Sequence, residues 1–390
     1  MSANGVEPAP HAASAAKSLT EPRSVAERVR PLVRTHLHAI SPYVPGRSAN
    51  DVQREFGLTD VVKLASNENP LGPSPKAVVA IEKILWDLNR YPDGAAMDIR
   101  QAVADHLNLE PSNVLVGNGS DEVIKMLSET FLQPGDELIV ADTTFAQYGF
   151  GAKVMNATLV QVPMLDGFQY DLQSMLDHVT ERTKMVYLCS PNNPTGTWLT
   201  HTEVRWFLDR IPEHVLVALD EAYVEYVDAP DPLDSLQFIR EGRSVLSLRT
   251  FSKIHGLAGL RLGYVLADAA VIAYINQVRE PFNANAVAQA AAVAALSDID
   301  HVTKSRAANK ACRQQYYEGL ARQGIPYIET QGNFLLAEVG DGYKVFEDLQ
   351  RLGVIVRAGF PGLERYVRIS IGTQEENERC LQALEKVLRS

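Results

Sequence analysis

The clearest candidate for chemistry in this sequence is a lysine directly after an apolar segment. Lys253 follows residues 244–252 (SVLSLRTFS), and no acidic residue lies in the flanking segment. Burial at the end of a strand would lower the pKa of the lysine amine and make it a nucleophile suited to Schiff-base chemistry. Ser252 and Arg261, separated by small residues and glycines, could clamp a phosphate through a hydroxyl and a bidentate guanidinium. The alternative is a surface lysine and a structural arginine in a glycine-rich turn.

A carboxylate ends a second apolar segment. Asp220 follows residues 215–219 (VLVAL) and precedes Glu221-Ala-Tyr223. A buried carboxylate is costly unless it is paired, and the protonated nitrogen of a pyridine ring is one suitable partner. The alternative is a strand-end aspartate that caps a loop.

Two turn-forming segments add possible ligand contacts. The segment 190–196 (SPNNPTG) could aim Asn193 at a ligand, although turn chemistry alone also selects these residue types. The segment 117–121 (GNGSD) lies between a predicted strand and a predicted helix, so Gly119, Ser120 and Asp121 offer backbone N–H groups to an anion. A dinucleotide-binding pattern is weak here, because position 122 is glutamate rather than glycine.

These residues follow strands of one predicted sheet. Short β-branched runs alternate with amphipathic helical stretches between about residues 75 and 285, which is typical of a mostly parallel sheet covered by helices on both faces. The strands are predicted at 113–117, 137–142, 157–163, 184–191, 215–223 and 244–253. Ligands of open α/β sheets bind outside the carboxyl ends of the strands. We therefore expect the polar clusters to converge on one crevice.

The pattern predicts four regions along the chain. Residues 1–30 lack apolar periodicity and are predicted to be a disordered tail. Residues 31–75 are predicted to form an N-terminal arm and part of a small domain, and residues 76–285 a large ligand-binding domain. Residues 286–390 contain helical stretches and the short apolar runs NFLLAEV, VIVRAG and VRISIG. They are predicted to form a smaller α+β domain.

Composition limits the class of protein. Across 390 residues, 37 Lys and Arg stand against 48 Asp and Glu, a net charge of −11, which disfavours nucleic acid or an anionic membrane as partner. The 3 cysteines show neither disulfide nor zinc spacing, so no metal site is expected. We find no run long enough for a membrane span and no secretory signal, which predicts a cytoplasmic protein.

Taken together and in this order, the clusters resemble the fold-type I pyridoxal-phosphate enzymes, and within them the histidinol-phosphate aminotransferase family. The resemblance runs from about residue 35 to the end. It also includes KLASNENPLGPSP (63–75), NRYPDG (89–94), Thr144-Phe145-Ala-Gln-Tyr148 and VRISIGT (367–373). It implies an α/β fold with a large and a small domain, pyridoxal 5′-phosphate as cofactor, and a homodimer with shared active sites.

The resemblance also implies a role for each site residue. Lys253 would carry the cofactor as a Schiff base and move protons as general base and acid, and Asp220 would pair with the pyridinium N–H. Tyr223 and Asn193 would hydrogen-bond the ring hydroxyl, and Phe145 would stack on the ring. The phosphate would be bound by Gly119, Ser120, Asp121, Ser252 and Arg261, and by Tyr91 from a partner subunit.

Substrate contacts are implied at Arg368 for the α-carboxylate and at Arg357 for the distal group, with Asn69 nearby. The implied reaction moves an amino group between L-glutamate and imidazole-acetol phosphate, giving L-histidinol phosphate. Three alternatives remain: an aromatic amino acid aminotransferase or an enzyme with both activities, a threonine-phosphate decarboxylase, and a transcription regulator. The regulator would need a DNA-binding module, for which residues 1–50 offer neither length nor a basic helix.

Overall fold

The structure is a computed structural model that describes residues 24–42 and 46–389. Contacts within the chain divide it after Ser41. In the first unit, Ser24 and Glu27 form a capping box at the start of α1 (Val25–Val29), and short 3-10 turns follow at Arg30–Leu32 and Thr35–Ala39. Of the tail predicted for residues 1–30, residues 1–23 lie outside the described residues.

A seven-stranded sheet forms the centre of the second unit. The strands of this unit are β1 (Val62–Lys63), β2 (Val114–Gly117), β3 (Glu137–Ala141), β4 (Thr158–Val162), β5 (Thr183–Cys189), β6 (Leu216–Asp220), β7 (Val245–Thr250), β8 (Gly263–Leu266), β9 (Tyr327–Ile328), β10 (Phe334–Glu338), β11 (Val354–Ile355) and β12 (Tyr366–Ser370). The central sheet has the order β2-β8-β7-β6-β5-β3-β4. Only β8 runs antiparallel to its neighbours, so the predicted mostly parallel sheet is confirmed.

Strand β8 was not predicted, and its first residue explains why. Gly263 opens the strand inside a glycine-rich segment that carries little β signal. A Cβ at this position would lie 2.6 Å from the backbone nitrogen of Ser120 and 3.0 Å from the backbone oxygen of Arg249. Glycine is therefore required where β8 passes between β7 and the start of a helix.

Helices cover both faces of the central sheet. The helices of this unit are α2 (Ala49–Phe56), α3 (Pro75–Ile84), α4 (Met97–Leu107), α5 (Ser120–Phe131), α6 (Gln147–Met155), α7 (Leu172–Asp177), α8 (His201–Leu208), α9 (Ser235–Arg240), α10 (Ala269–Val278), α11 (Ala286–Leu296), α12 (Ile299–Gln323), α13 (Gly342–Arg351) and α14 (Gln374–Leu388). Along β6, Val217 and Leu219 join the core beneath α3, α4, α8 and α11, whereas Ala218 joins the core beneath α5, α6 and α10. Both faces of the strand are therefore buried, as in a parallel sheet.

A second, smaller core lies among the later elements. The three-stranded antiparallel sheet β12-β10-β9 packs with α12, α13 and α14, and β1 pairs with β11 in parallel. The pairing of β1 with β11 places Val62 next to Val354 and Lys63 next to Ile355. Helix α11 packs instead against α3 and α4, where its small alanines permit a close approach.

A buried ion pair secures the end of β6. Glu221 is fully buried, and its Oε2 accepts hydrogen bonds from Nε (3.1 Å) and Nη2 (3.0 Å) of Arg249 on β7. The hydroxyls of Ser235 and Ser247 donate to the same oxygen. Since Glu221 adjoins Asp220 in the chain, this network fixes the place where β6 leaves the sheet.

We expect Glu221→Gln to destabilise the fold by about 3 to 5 kcal/mol, because Arg249 would be left as an uncompensated buried cation. The matched control is Glu241→Gln, which removes an exposed partner of Arg205 at 2.9 Å and should cost far less stability, because water screens an exposed ion pair. Denaturant unfolding measures both free energies. Equal losses in the two variants would contradict a structural role for the buried pair.

Candidate active site

The carboxyl ends of β5, β6 and β7 and the start of α5 open into one cavity of about 820 Å³. The cavity is also bordered by the strand β12 and the residues after β11. Of the residues singled out in the sequence, those lining it are Ser120, Asp121, Phe145, Asn193, Asp220, Tyr223, Ser252, Lys253, Arg261, Arg357 and Arg368. Polar groups from distant parts of the sequence thus surround a single space.

Lys253 lies just beyond β7 and points its amine into this space. Its Nζ donates to the backbone oxygen of Ser66 at 3.2 Å and lies 5.5 Å from the ring centroid of Tyr223. Removal from water, together with the smaller effect of the positive charge of Arg368, lowers the pKa of the amine to about 8. The amine is therefore more easily deprotonated, and more nucleophilic, than that of a surface lysine.

Asp220 is the last residue of β6 and is 3% exposed. Its Oδ1 accepts the backbone N–H of Ala222 at 3.1 Å, and its Oδ2 accepts the hydroxyl of Tyr148 at 2.6 Å. Burial raises the pKa of the carboxyl to about 6, while the Tyr148 hydrogen bond acts in the opposite direction. The carboxylate is available to pair with a cation that enters the cavity.

Arg368 ties the two sides of the cavity together. Its Nη1 donates to Oδ1 of Asn193 at 2.6 Å and its Nη2 to the backbone oxygen of Ala65 at 2.6 Å. The guanidinium lies between the rings of Phe334 and Phe360, 5.4 and 5.3 Å from their centroids. Such a firmly held guanidinium is suited to bidentate binding of a carboxylate.

Tyr223 and Arg357 line the same cavity as that arginine. The Tyr223 hydroxyl accepts a hydrogen bond from Nδ2 of Asn67 at 3.0 Å. Arg357 exchanges backbone hydrogen bonds with Arg368 at 3.0 and 2.7 Å and is half-buried. The side chains of Arg357 and Arg368 therefore extend from paired backbone positions and line one cavity.

A cradle for an anion lies at the start of α5. Gly119 caps the helix with φ +78°, and a Cβ there would lie 2.5 Å from Nη2 of Arg261. That guanidinium donates to Oδ2 of Asp121 at 3.0 Å, and Ser252 lines the same cavity. Backbone N–H groups at a helix N-terminus beside an arginine are suited to a phosphate.

Tyr91 and Asn69 do not line the cavity of their own chain. Tyr91 is 82% exposed and stacks on Phe282, with ring centroids 4.7 Å apart. Asn69 is buried, and its amide donates to the backbone oxygen of Ile254 at 2.8 Å and to Ser305 Oγ at 2.9 Å. The side chain of Asn69 is thus engaged behind the segment that carries Lys253.

Sequence reasoning missed two residues that contact the site directly. Asn67 has φ 55°, exchanges hydrogen bonds with Ser370 on β12, and donates to Tyr223. Tyr148, on α6, donates to Asp220. An asparagine in a polar loop and a tyrosine in a mostly apolar helix are weak signals, since both residue types are common at such positions without any site.

Neither a metal cluster nor a membrane helix is present in the described part of the chain. Among residues 24–42 and 46–389, no group of three or more His, Cys, Asp or Glu side chains is arranged to hold a metal ion. Within the same residues, no helix is both long and apolar enough to cross a membrane.

Known proteins of similar sequence cover nearly the whole chain. It is 46% identical to a histidinol-phosphate aminotransferase of Moorella thermoacetica, over 92% of this chain and 93% of the relative. It is 48% identical to a histidinol-phosphate aminotransferase of an Anaeromyxobacter species, over 92% of this chain and 99% of the relative.

Solved structures and a family pattern agree with these relatives. A crystal structure of histidinol-phosphate aminotransferase from Sinorhizobium meliloti, in complex with pyridoxal-5′-phosphate, superposes with a TM-score of 0.85. That superposition has 28% identity and covers 91% of this chain and 97% of that one. Residues 59–384 match the pattern of one large enzyme family. The chain therefore belongs to the aminotransferase class I and II family.

Proposed function

We propose that this protein is a pyridoxal 5′-phosphate-dependent aminotransferase of histidine biosynthesis. It exchanges an amino group between L-glutamate and imidazole-acetol phosphate, which gives L-histidinol phosphate and 2-oxoglutarate. Support comes from the relatives of that name at 46% and 48% identity and from the pyridoxal-phosphate complex of the Sinorhizobium meliloti enzyme. The single observation that carries it is that Lys253, Asp220 and Arg368 line one cavity.

The residues of the cavity fit the cofactor. Asp220 is buried, and its hydrogen-bond partners among the described residues are uncharged, so a pyridinium N–H would supply the missing cation. The space between Gly119 and Arg261, which a Cβ would fill, fits a phosphate. The residues proposed to hold the cofactor are Gly119, Ser120, Asp121, Phe145, Asn193, Asp220, Tyr223, Ser252, Lys253 and Arg261, with Tyr91 from a partner subunit.

The chain's own residues supply binding and proton transfer. Pyridoxal phosphate, when bound, supplies an electron sink for the electron pair left at the substrate Cα. Lys253, with its lowered pKa, would take the proton from the substrate Cα and deliver it to C4′ of the cofactor, and would run the same transfer in reverse for the second substrate. Asp220 keeps a proton on the pyridine nitrogen by offering it a buried negative charge. Asn69, which the resemblance places near the substrate, is proposed to act on the site through the Ile254 backbone, to which its amide donates.

We expect sodium borohydride to fix the cofactor covalently to Lys253, since its amine lies in the cavity. Lys253→Ala should retain the cofactor through Asp220 and the phosphate contacts but lower kcat by at least about 100-fold, because the base is lost. Peptide mapping and steady-state kinetics measure the two effects. Lys184→Ala, at a half-buried lysine 3.9 Å from Asp136, is the control and should leave both measurements unchanged. A label on Lys184 or Lys304 would reject the assignment.

Two arginines are proposed to recognise the two ends of the substrate. Arg368 is buried and held by Asn193 and Ala65, so it suits the α-carboxylate that all amino acid and keto acid substrates share. Arg357 lines the same cavity from the adjacent backbone position and is proposed to bind the distal phosphate or γ-carboxylate.

We expect Arg368→Lys to impair every substrate alike, because lysine cannot replace a bidentate contact with the α-carboxylate. Arg357→Ala should lower kcat/KM about tenfold or more for imidazole-acetol phosphate and glutamate, yet spare phenylpyruvate, which has no distal anion. A substrate panel with both variants measures this. Equal losses across the panel for Arg357→Ala would remove its distal role, and a wild-type preference for phenylpyruvate would favour an aromatic aminotransferase.

A homodimer with shared active sites is proposed from the surface around Tyr91. Residues 85–91 expose Trp86 (93%), Leu88 (53%) and Tyr91 (82%) to solvent in one chain. Exposed large apolar side chains in one short segment are typical of a surface that a partner covers. Tyr91 lies outside the cavity of its own chain, as expected for a residue that serves a neighbouring site.

We expect Tyr91→Ala and Lys253→Ala to be strongly impaired separately and to recover activity when their subunits are exchanged. In the mixed dimer, one site carries both changes and the other carries neither. Activity after verified subunit exchange measures the recovery, with each variant mixed with itself as the control. No recovery would place Tyr91 within its own subunit's site or outside any site.

We also propose a cytoplasmic enzyme with a large domain at residues 76–285 and a small domain at residues 286–390. The three cysteines are buried and free, which suits a reducing compartment. The separate hydrophobic cores of the central sheet and of the β12-β10-β9 sheet support two domains, but α11 (Ala286–Leu296) packs in the core of the central sheet rather than in that of the small domain.

A further inference from the structure

Tyr148 contacts the charged end of Asp220 from beneath the cavity. Tyr148 is fully buried on α6, and its hydroxyl donates to Asp220 Oδ2 at 2.6 Å. Its ring stacks on Tyr187 of β5, with centroids 4.2 Å apart and planes 10° apart, and Phe145 meets it edge-on at 5.6 Å. Packing on two sides leaves the hydroxyl little freedom to turn elsewhere.

The hydroxyl and one backbone amide together orient the carboxylate. Ala222 N–H binds Oδ1 and Tyr148 binds Oδ2, so each oxygen has one fixed donor. Asp220 still lines the cavity, and a carboxylate has more lone pairs than these two donors use. A third donor that enters the cavity therefore meets a carboxylate whose plane is already set.

We propose that Tyr148 is a positioning residue that holds the Asp220 carboxylate ionised and oriented toward the cavity, where it pairs with the pyridinium N–H of the cofactor. This inference rests on the proposed function and deepens it. Tyr148 itself touches neither substrate nor cofactor in this scheme; it acts through Asp220.

Several titratable groups face Asp220, among them the Tyr187 hydroxyl on β5, whose pKa is raised by burial and by the charge of Asp220, so that it stays neutral. The Cys189 thiol on β5 lies beside it in the strand pairing, and its pKa is raised by burial, so it carries no charge near neutral pH. Asp121 on α5 and the adjacent Glu221 raise the pKa of Asp220 slightly, after the larger effect of burial. Lys253 shares the cavity. Among these neighbours, Tyr148 is the donor that lies in direct contact with the carboxylate.

The sign of the pH effect follows from that balance. Burial raises the pKa of Asp220 to about 6, and the Tyr148 hydrogen bond opposes that rise because it favours the charged form. Without the hydroxyl, the pKa of Asp220 rises further. Only ionised Asp220 can pair with a pyridinium, so cofactor affinity falls as the pH drops through this pKa. Tyr148→Phe therefore moves the loss of affinity to higher pH.

The test is the dissociation constant of pyridoxal phosphate between pH 5 and pH 9 for the wild type, Tyr148→Phe and Tyr187→Phe. Tyr187 is the matched control, because its ring stacks on Tyr148 while its buried hydroxyl makes no hydrogen bond to Asp220 or to any other described residue. We expect the acidic midpoint to rise by about one pH unit in Tyr148→Phe, which is about tenfold weaker binding below it. It should stay in place in Tyr187→Phe.

A second variant keeps the test valid if Tyr148→Phe fails to fold, and it shifts the midpoint in the opposite direction. Replacing Tyr148 with 3-fluorotyrosine keeps the ring and makes the phenol a stronger donor, so the midpoint should move to lower pH. An unchanged midpoint in both Tyr148 variants, or equal shifts in Tyr148→Phe and Tyr187→Phe, would overturn the positioning role and leave the proposed function intact. A wild type that binds no pyridoxal phosphate would overturn both.

Discussion

The carboxylate of Asp220 is buried away from water, which is energetically unfavourable for its negative charge. The other groups of the site compensate for this unfavourable burial. Burial favours the neutral acid, whereas Tyr148 and the Ala222 N–H favour the carboxylate. In the same cavity, the lack of water also lowers the pKa of Lys253. Burial in one cavity thus favours the neutral forms of both the Asp220 carboxyl and the Lys253 amine. A cationic ring nitrogen is a suitable partner for the carboxyl, and a carbonyl carbon is a suitable partner for the neutral amine.

The scaffold brings these groups together by long-range contacts. Strand β6 is flanked by β5 and β7, so Asn193, Asp220 and Lys253 follow neighbouring strands. The buried pair of Glu221 and Arg249 joins β6 to β7 directly below them. From the smaller sheet, Arg368 reaches across to Asn193. A shift of either core relative to the other would therefore alter the substrate end of the cavity before the cofactor end.

Much of this arrangement could be predicted from the sequence, because it depends on local pattern. The parallel strands are continuous apolar runs, and their polar ends share one edge of the sheet. Strand β8 escaped prediction because close backbone approach demands Gly263, which weakens the β signal. The contacts of Asn69 and Tyr148 could not be predicted, since Ser305 and Asp220 lie far away in the chain and only packing decides which way a side chain turns.

The order of the site residues along the chain also has a consequence for synthesis on the ribosome. Along the chain, the last strand of the central sheet is β8, which ends at Leu266. Every residue proposed to touch the cofactor lies at or before Arg261. The arginines proposed to bind substrate, Arg357 and Arg368, emerge later than all of these residues. Domains generally fold as units, N-terminal first, during translation. The half of the site that holds the cofactor is thus encoded, and released into solution, ahead of the half that selects what the cofactor acts on.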